Sequence, residues 1–282
     1  MEPDGQTAPM RAMEIAIEGL KFPEGPRWRE GRLLFADMLE CRIAATDLDG
    51  PVETIVELDD RPSGLGQLPD GRWIAVAMDT KQILALDGDR VPTAYADLTA
   101  VAPGPCNDMV VDPHGRAYVG VMAETAPVIL VTPDGRSRVV AEGLKGPNGA
   151  VITDGGATLV FAETRGGRLV AWTIADDGTL RDERTWADLG EHTPDGICLD
   201  AEGAIWVSSY AQHQFVRVLE GGRISDSLDT GEGWALACAL GGTDRRTLLG
   251  MCAVSSREDF QLGLSRGWIA AATVDVPGVD VP

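Results

Sequence analysis

The sequence has little positive charge, and this shortage argues against one broad class of partner. Across 282 residues, 24 Lys and Arg stand against 44 Asp and Glu, for a formal net charge of −20 at pH 7. A surface this acidic repels the phosphates of nucleic acids and the headgroups of anionic lipids. We therefore expect no nucleic acid and no membrane as partners.

Paired cysteines, a signal pattern and long apolar runs are also missing. The cysteines are far apart, odd in number and without a CxxC pair, which argues against a disulfide framework or a thiolate zinc site. They are Cys41, Cys106, Cys198, Cys238 and Cys252. The first ten residues have no basic-then-apolar pattern, and no apolar run approaches the roughly 18 residues of a membrane span. These absences predict a cytoplasmic protein with reduced, mostly buried thiols, and they leave the oligomeric state open.

Long amphipathic helices are absent as well, because turn residues interrupt any helical period. The chain contains 34 glycines and 17 prolines, spread along its whole length. Between them lie apolar and β-branched runs of about four to six residues, separated by turns such as DG and GG. This pattern is typical of β meanders and predicts an all-β protein.

What the sequence does contain is a repeat. Six segments share a turn, an apolar strand and then small residues, and they begin at Gly31, Gly71, Gly115, Gly155, Gly203 and Asp244. By subtraction, successive starts are 40, 44, 40, 48 and 41 residues apart. A period of about 40–50 residues made of short strands is the signature of propeller blades with four strands each. We predict a six-bladed β-propeller with four antiparallel strands per blade.

The two ends of the chain favour a closed ring. Met13–Leu20 and Trp268–Val276 both have the pattern of strands. A propeller commonly closes by pairing strands from its two termini in one blade, which leaves no exposed sheet edge. We therefore expect residues 1–12 to form a flexible N-terminal tail and residues 13–282 to form a single propeller domain.

One phase of the repeat, shortly before each turn, carries a polar or small residue. In chain order these residues are Glu24, Ser63, Asn107 with Asp108, Asn148, Asp195 and Trp234. If this strand is the innermost of each blade, the polar side chains point into one end of the central channel. For any one such loop taken alone, an ordinary turn is the favoured interpretation, because Asn and Asp tolerate turn geometry.

Four of these residues, Glu24, Asn107, Asn148 and Asp195, together predict a metal site. Two carboxylates and two side-chain amides supply only hard oxygen ligands, which suit Ca²⁺, Mg²⁺ or Mn²⁺ better than a structural zinc ion. Two carboxylates facing each other across a narrow channel repel unless a cation or a proton lies between them. We expect one divalent cation at this end of the channel.

The same loops carry a family resemblance. With the motifs FPEGPRW, CNDMVVDPHGRAYVG, GPNGAV and PDGICLDAEGAIWV in this order and spacing, the sequence resembles the senescence-marker-protein, gluconolactonase and luciferin-regenerating-enzyme family. The resemblance extends from about Phe22 to Val276. It implies a six-bladed propeller with one catalytic divalent cation, Ca²⁺ first with Mg²⁺, Mn²⁺ or Zn²⁺ as alternatives. It also implies a hydrolase acting on the ester bond of a lactone, so that the partner is a small-molecule substrate.

Carried over position by position, the resemblance assigns roles to particular residues. It implies Glu24, Asn148 and Asp195 as the metal ligands and Asp195 as the general base. Asn107 matches a residue that contacts the metal or the substrate. Glu124, in the segment Met122-Ala123-Glu124, matches a stretch that lines the substrate cavity.

One departure from the family concerns the substrate. Where sugar-lactonase members commonly have an arginine, two residues before Asn107, this sequence has Pro105, which offers no forked hydrogen-bond donor. A polyhydroxylated sugar lactone is therefore in doubt, and Cys106 and Trp234 are expected to present apolar surface at the channel mouth.

Two histidines are further candidates for the rim of the cavity. His192 lies three residues before Asp195 and could shuttle protons, while His213 follows the fifth repeat strand. Either one is also consistent with an ordinary loop residue.

The predicted mechanism is opening of a lactone by water. The metal polarises the carbonyl, and the nucleophile is either water activated by Asp195 or hydroxide on the metal. Phosphoester or phosphofluoridate hydrolysis, a ring-opening or isomerising step on a biosynthetic intermediate, and a non-catalytic calcium-binding propeller remain alternatives. The sequence has no GxSxG or HExxH motif, so serine-hydrolase and zincin mechanisms find no support.

Overall fold

The computed structural model describes residues 11–86 and 91–279, and strands dominate them. The strands and the α-helix of these residues are β1 (Arg11–Ala12), β2 (Glu14–Leu20), β3 (Pro23–Arg29), β4 (Arg32–Asp37), β5 (Arg42–Thr46), β6 (Glu53–Glu57), β7 (Pro62–Gln67), β8 (Trp73–Ala77), β9 (Gln82–Leu86), β10 (Thr93–Asp97), β11 (Cys106–Val111), β12 (Ala117–Val121), β13 (Ala126–Val131), β14 (Ser137–Leu144), β15 (Pro147–Thr153), β16 (Thr158–Glu163), β17 (Arg168–Ile174), β18 (Leu180–Asp188), β19 (Pro194–Leu199), β20 (Ile205–Ser209), β21 (Gln214–Val218), β22 (Ile224–Asp229), β23 (Trp234–Gly241), β24 (Thr247–Val254), α1 (Arg257–Leu262) and β25 (Arg266–Thr273). Short 3-10 turns follow β4, β15 and β20.

These strands form six sheets, each built on a meander of four antiparallel strands, and β1 adds a fifth strand to one of them. From the inside outwards, blades one to five are β3–β6, β7–β10, β11–β14, β15–β18 and β19–β22, and blade six is β23, β24, β25 and β2. Each innermost strand contacts the innermost strands of both neighbouring blades, so the six strands close a ring around a central channel. The predicted six-bladed propeller is confirmed.

Ring closure follows the prediction too. Strand β2 pairs antiparallel with β25, with Ile15 opposite Ala270, so the N-terminal strand is the outermost strand of the last blade. Arg11 and Ala12, which the sequence assigned to the tail, form β1 and pair in parallel with β22 of blade five. Residues 1–10 of the predicted tail lie outside the described residues.

The backbone geometry of the repeat turns requires particular residue types, as the turn after β11 shows. Gly115 has a φ of 77°, in the left-handed region that a side chain disfavours. Asp112 accepts hydrogen bonds from the amides of His114 and Arg116 at 2.9 Å each, an Asx-type turn. The guanidinium of Arg116 also binds this carboxylate at 2.5 Å, with the Asp112 side chain fully buried. This buried ion pair stabilises the turn between β11 and β12.

Apolar side chains fill the space between the blades. The inner strand β11 is buried along its whole length. Large aromatic rings are fully buried in blades one, three, four and five: Phe35, Tyr118, Phe161, Trp206 and Phe215. Facing sheets packed through such side chains are the usual core of an all-β protein. No helix within residues 11–86 and 91–279 is long and apolar enough to cross a membrane.

In four of the six blades, a glycine near the start of the inner strand allows that strand to approach its neighbour closely: Gly25, Gly64, Gly149 and Gly196. A Cβ at Gly149 would lie 2.5 Å from the amide nitrogen of Ile197 and 2.6 Å from the Cα of Gly196. Both obstacles are backbone atoms of the neighbouring inner strand, so no side-chain rotation could relieve the overlap. Glycine at this position thus sets the distance between blades four and five.

We expect Gly149→Ala to lower the free energy of unfolding by about 3 kcal/mol, because the methyl group must push two inner strands apart. The control is Gly203→Ala, where a Cβ meets no atom within 4 Å and only the positive φ is strained, at a cost of about 1 kcal/mol. Chemical denaturation of the three proteins measures both values. Equal losses in the two variants would contradict the packing argument.

Candidate metal centre

The residues singled out by the repeat phase lie at one end of the six inner strands. Each is the first or second residue of its strand: Glu24 on β3, Ser63 on β7, Asn107 on β11, Asn148 on β15, Asp195 on β19 and Trp234 on β23. Since all six strands start at the same end of the channel, we call this end the site face. The loops that join the second and third strands of each blade also lie there.

A β-bulge marks this position in every inner strand. The pairing with the next strand slips between Glu24 and Arg27, Pro62 and Leu65, Cys106 and Met109, Pro147 and Ala150, Pro194 and Ile197, and Ala235 and Ala237. A bulge leaves one residue outside the regular ladder and re-aims its side chain. The P-x-G motif is the sequence mark of this bulge in four of the six blades.

Three carboxyl groups share the site face. Asp195 and Asp108 are each only 8% exposed, and Glu24 is half-buried. Burial raises the pKa of Glu24 well above its usual range, and the negative charges of Asp195 and Asp108 raise it further. Burial, and then the charge of Asp108, likewise raises the pKa of Asp195. A low-dielectric site with several carboxylates favours protons or a cation between them.

Asn148 lies next to Asp195 and donates a hydrogen bond to its carboxyl group. A hydrogen bond from its amide opposes the rise in the pKa of Asp195, and its Nδ2 lies 3.4 Å from Oγ1 of Thr164. Thr164 in turn donates to the carbonyl oxygen of Pro194 at 2.7 Å. Because these contacts use the amide nitrogen, the amide oxygen keeps its capacity to bind a cation.

Asp108 is held differently from the other two carboxyl groups. Its Oδ1 accepts the amide of Met109 at 2.8 Å and lies 3.6 Å from Nη2 of Arg27. The same Nη2 donates to the carbonyl oxygen of Met109 at 2.7 Å. The arginine therefore offsets part of the negative charge beneath the site, a role that the sequence analysis missed although Arg27 stands in the motif FPEGPRW.

Asn107 is the fourth predicted oxygen-bearing residue. It is 7% exposed, and its Oδ1 accepts a hydrogen bond of 3.2 Å from the hydroxyl of Ser63 on the adjacent inner strand. The amide nitrogen is thereby available as a donor toward the channel.

This donor set fits one divalent cation. In the described parts of the chain, no three His, Cys, Asp or Glu side chains gather in a metal-binding arrangement, so any site here has to mix carboxylates with amides. Glu24, Asn148 and Asp195 supply such a set, made only of oxygens, on β3, β15 and β19. Hard cations such as Ca²⁺ accept carboxylate and amide oxygens together.

Aromatic rings form one wall of the site. Trp234 and Tyr210 pack with their ring centroids 5.0 Å apart. Burial raises the pKa of Tyr210, and the charge of Asp195 adds to that rise, which places the phenol near this carboxylate. The sequence analysis named Trp234 and missed Tyr210. The signal was available, because Tyr210 ends the fifth repeat segment, where the chain turns back on the site face.

The other predicted lining residues differ in their surroundings. Cys106 is completely buried among apolar side chains, so it presents no surface at the channel mouth, and burial raises the pKa of its thiol to about 12. Glu124 is exposed on the loop after β12. His192 is half-buried with Nδ1 2.8 Å from the hydroxyl of Ser209, and burial lowers its pKa. His213 ends the turn after β20.

A cavity of about 840 Å³ lies at the other end of the channel. Its walls are later residues of the same inner strands, among them Arg27, Val110, Val151, Cys198 and Cys238. None of Glu24, Asn107, Asn148 and Asp195 lines it. The candidate metal centre and this cavity are thus two separate features of the channel, and we call the second one the lower cavity.

Fold and site together define a six-bladed propeller with oxygen ligands at one mouth of its channel. A family model described as SMP-30/Gluconolactonase/LRE-like region matches residues 22–252. The chain belongs to this family.

Individual relatives agree with this assignment. The chain is 26% identical over 275 residues to a 6-deoxy-6-sulfogluconolactonase of Pseudomonas putida, covering 92% of this chain and 93% of that protein. It is 28% identical over 211 residues to a pentonolactonase of Haloferax volcanii, covering 70% and 69%. Among solved structures, the calcium-binding protein regucalcin from Agrobacterium tumefaciens shares the fold, with a TM-score of 0.81 and 21% identity, over 96% of this chain and 98% of that one.

The raised pKa values predict how the metal-free protein responds to pH. A carboxyl group whose pKa is higher in the folded than in the unfolded state stabilises the fold below its unfolded pKa, about 4.3 for Glu. That stability is lost as the pH rises through the folded pKa. In a chelator at neutral pH, Glu24→Gln should therefore melt a few degrees above the wild type, and the gain should shrink toward pH 4.

Thermal melting in chelator across this pH range measures the effect. Glu18→Gln, which changes an exposed carboxylate on β2, is the matched control and should show no comparable gain. A difference between Glu24→Gln and the wild type that stays constant from pH 4 to neutral would contradict the electrostatic explanation.

Proposed function

We propose that this chain is a metal-dependent lactonase that opens a cyclic ester at the site face. The observation that carries the proposal is the convergence of Glu24, Asn148 and Asp195, one half-buried and one buried carboxyl group with an amide, on the channel mouth. Membership of the gluconolactonase family and the two lactonase relatives support the reaction class. Ca²⁺ is the favoured cation, since these ligands are all oxygens and one structural neighbour is a calcium-binding protein.

When bound by Glu24, Asn148 and Asp195, the cation would supply a Lewis acid that polarises the lactone carbonyl. Asp195 accepts a proton from the attacking water and returns it to the ring oxygen as the carbon–oxygen bond breaks, so that a hydroxy acid results. Asn107, whose oxygen is engaged by Ser63, donates its amide N–H to a substrate oxygen. The Tyr210 and Trp234 rings exclude water from one side.

Two alternatives use the same residues. Hydrolysis of a phosphoester or phosphofluoridate, or a ring-opening or isomerising step, would need the same cation and the same carboxylates. A purely calcium-binding role would need the cation alone. Turnover of lactones would distinguish our proposal from the other reactions. Any metal-dependent turnover would exclude a purely calcium-binding role.

Asp195→Asn should reduce kcat for a lactone by at least about a hundredfold, because the amide cannot take up the proton of water. Glu24→Gln and Asn148→Ala should mainly weaken cation binding, so excess Ca²⁺ should restore part of their activity. The assay uses protein stripped of metal and resupplied with Ca²⁺, Mg²⁺, Mn²⁺ or Zn²⁺, with Glu18→Gln as the control. Normal activity of Asp195→Asn would show that the centre lies elsewhere.

The walls of the site predict a preference among lactones. Apolar side chains stand on loops of the site face or beside it, namely Leu39, Met122, Tyr210, Trp234 and Phe260. Pro105 offers no donor for a hydroxyl group. We expect kcat/KM for an apolar lactone to exceed that for a sugar lactone by about tenfold to a hundredfold, the range that apolar pockets reach against added hydroxyls.

A panel of sugar and alkyl-substituted lactones measures this ratio. Pro105→Arg, which restores the forked donor typical of sugar-lactonase relatives, should move the ratio toward sugars. A wild type that favours sugar lactones would contradict the assigned role of Pro105 while leaving the lactonase proposal intact.

The cysteines support the further prediction of a cytoplasmic setting. All five lie within the described residues, and each is a free thiol. Free buried thiols are typical of proteins that work in a reducing compartment.

A further inference from the structure

Two thiols meet across the boundary between blades five and six. Cys198 on β19 and Cys238 on β23 have their Sγ atoms 3.5 Å apart. A disulfide has an S–S bond of about 2.05 Å, so the two atoms would have to approach by roughly 1.5 Å. Their strands are neighbouring inner strands of the ring, so a bond between them would join two blades.

Both thiols belong to residues that line the lower cavity. Cys198 is partly exposed, whereas Cys238 is only 2% exposed. The Sγ of Cys238 also contacts the carbonyl oxygen of Trp206 at 3.6 Å. Because Cys198 is more exposed than Cys238, we expect a small reagent to react with Cys198 first.

The remaining cysteines are placed differently. Cys106 and Cys252 have no exposed surface, and Cys41 stands on the turn after β4 on the site face. Cys252 packs in the same apolar cluster as Cys238 and is the one competitor for it. Its Sγ contacts the carbonyl oxygen of Gly250 on its own strand at 3.7 Å.

We propose that Cys198 and Cys238 form a redox-active thiol pair, which a small disulfide converts into a covalent bond between blades five and six. The Cys198 thiolate attacks the small disulfide, forms a mixed disulfide and releases one thiol. Cys238 then attacks the sulfur of Cys198 and releases the second thiol. Two protein thiols are oxidised, and one molecule of the small disulfide is reduced to two thiols.

The position of this bond gives it a mechanical effect. Blades five and six are the two that receive the N-terminal strands, since β1 pairs with β22 and β2 pairs with β25. These pairings are non-covalent, and they close the ring. A bond between β19 and β23 would hold the same two blades together at the axis, and it would close a loop of about 40 residues, which restricts the unfolded chain.

The pair is independent of the proposed lactonase activity. Cys198 and Cys238 line the lower cavity, whereas Glu24, Asn148 and Asp195 do not. Failure of the thiol pair to react would leave the metal centre unaffected, and an inactive metal centre would leave the thiol chemistry unaffected.

The test incubates the native, reduced full-length protein with hydroxyethyl disulfide and maps the peptides by mass spectrometry. Burial raises the pKa of Cys198, so few thiolates are present at neutral pH and the reaction should take hours. We expect a cross-linked peptide joining Cys198 to Cys238, reversal by a reducing agent, and a melting temperature raised by about 5 °C or more.

Single variants test the order of events. In Cys238→Ala, the mixed disulfide should accumulate on Cys198, whereas in Cys198→Ala the buried Cys238 should stay unmodified over the same time. Cys106→Ala is the matched control and should behave like the wild type.

Three results would overturn the proposal. These are a wild type in which both thiols stay reduced while the folded protein persists, a cross-link from Cys238 to Cys252, and a mixed disulfide that remains on Cys198 in the presence of Cys238. The wild-type peptide map decides between these outcomes even if a variant does not fold.

Discussion

The close approach of six inner strands around one axis is the constraint on which the rest of this structure depends. Strands converging on an axis leave little room for side chains, and Gly149 shows how little: an added Cβ would overlap the backbone of the next blade. The bulge beside each such position then turns one side chain out of the regular ladder. Packing and site geometry therefore have the same cause, because the residue beside the close contact is the residue aimed into the channel.

The electrostatic character of the site follows from this geometry. Glu24 and Asp195 are brought together by blade packing, and burial disfavours their charged forms. Arg27 offsets some negative charge beneath them by its contact with Asp108, and Asn148 supports Asp195 by a hydrogen bond. The burial and mutual repulsion of these carboxyl groups disfavour their charged forms, so binding of a cation between them would stabilise the folded protein.

The architecture could be predicted from the sequence because its signals are periodic. A repeat of about 40–50 residues defined the blades, and the same phase located Glu24, Asn107, Asn148 and Asp195. Contacts between residues at different positions of the repeat leave no periodic pattern in the sequence. Arg27 reaches Asp108 from another blade, Tyr210 reaches the site from a loop, and Cys106 turns into the core although its neighbour Asn107 does not. These placements depend on how blades pack against one another, and a bulge breaks the alternation that would otherwise predict them.

The two ends of the channel separate two kinds of chemistry along the same strands. On β19, Asp195 lies within the bulge and Cys198 follows it, so one strand carries a carboxylate at one end and a thiol at the other. Hard cations such as Ca²⁺ prefer oxygen, and thiolates prefer softer metals. If both groups shared one mouth, the thiols would invite competing metals and oxidation beside the reacting carbonyl. The length of the inner strand keeps the carboxylates at the site face and the Cys198–Cys238 pair in the lower cavity, so each group can react without disturbing the other.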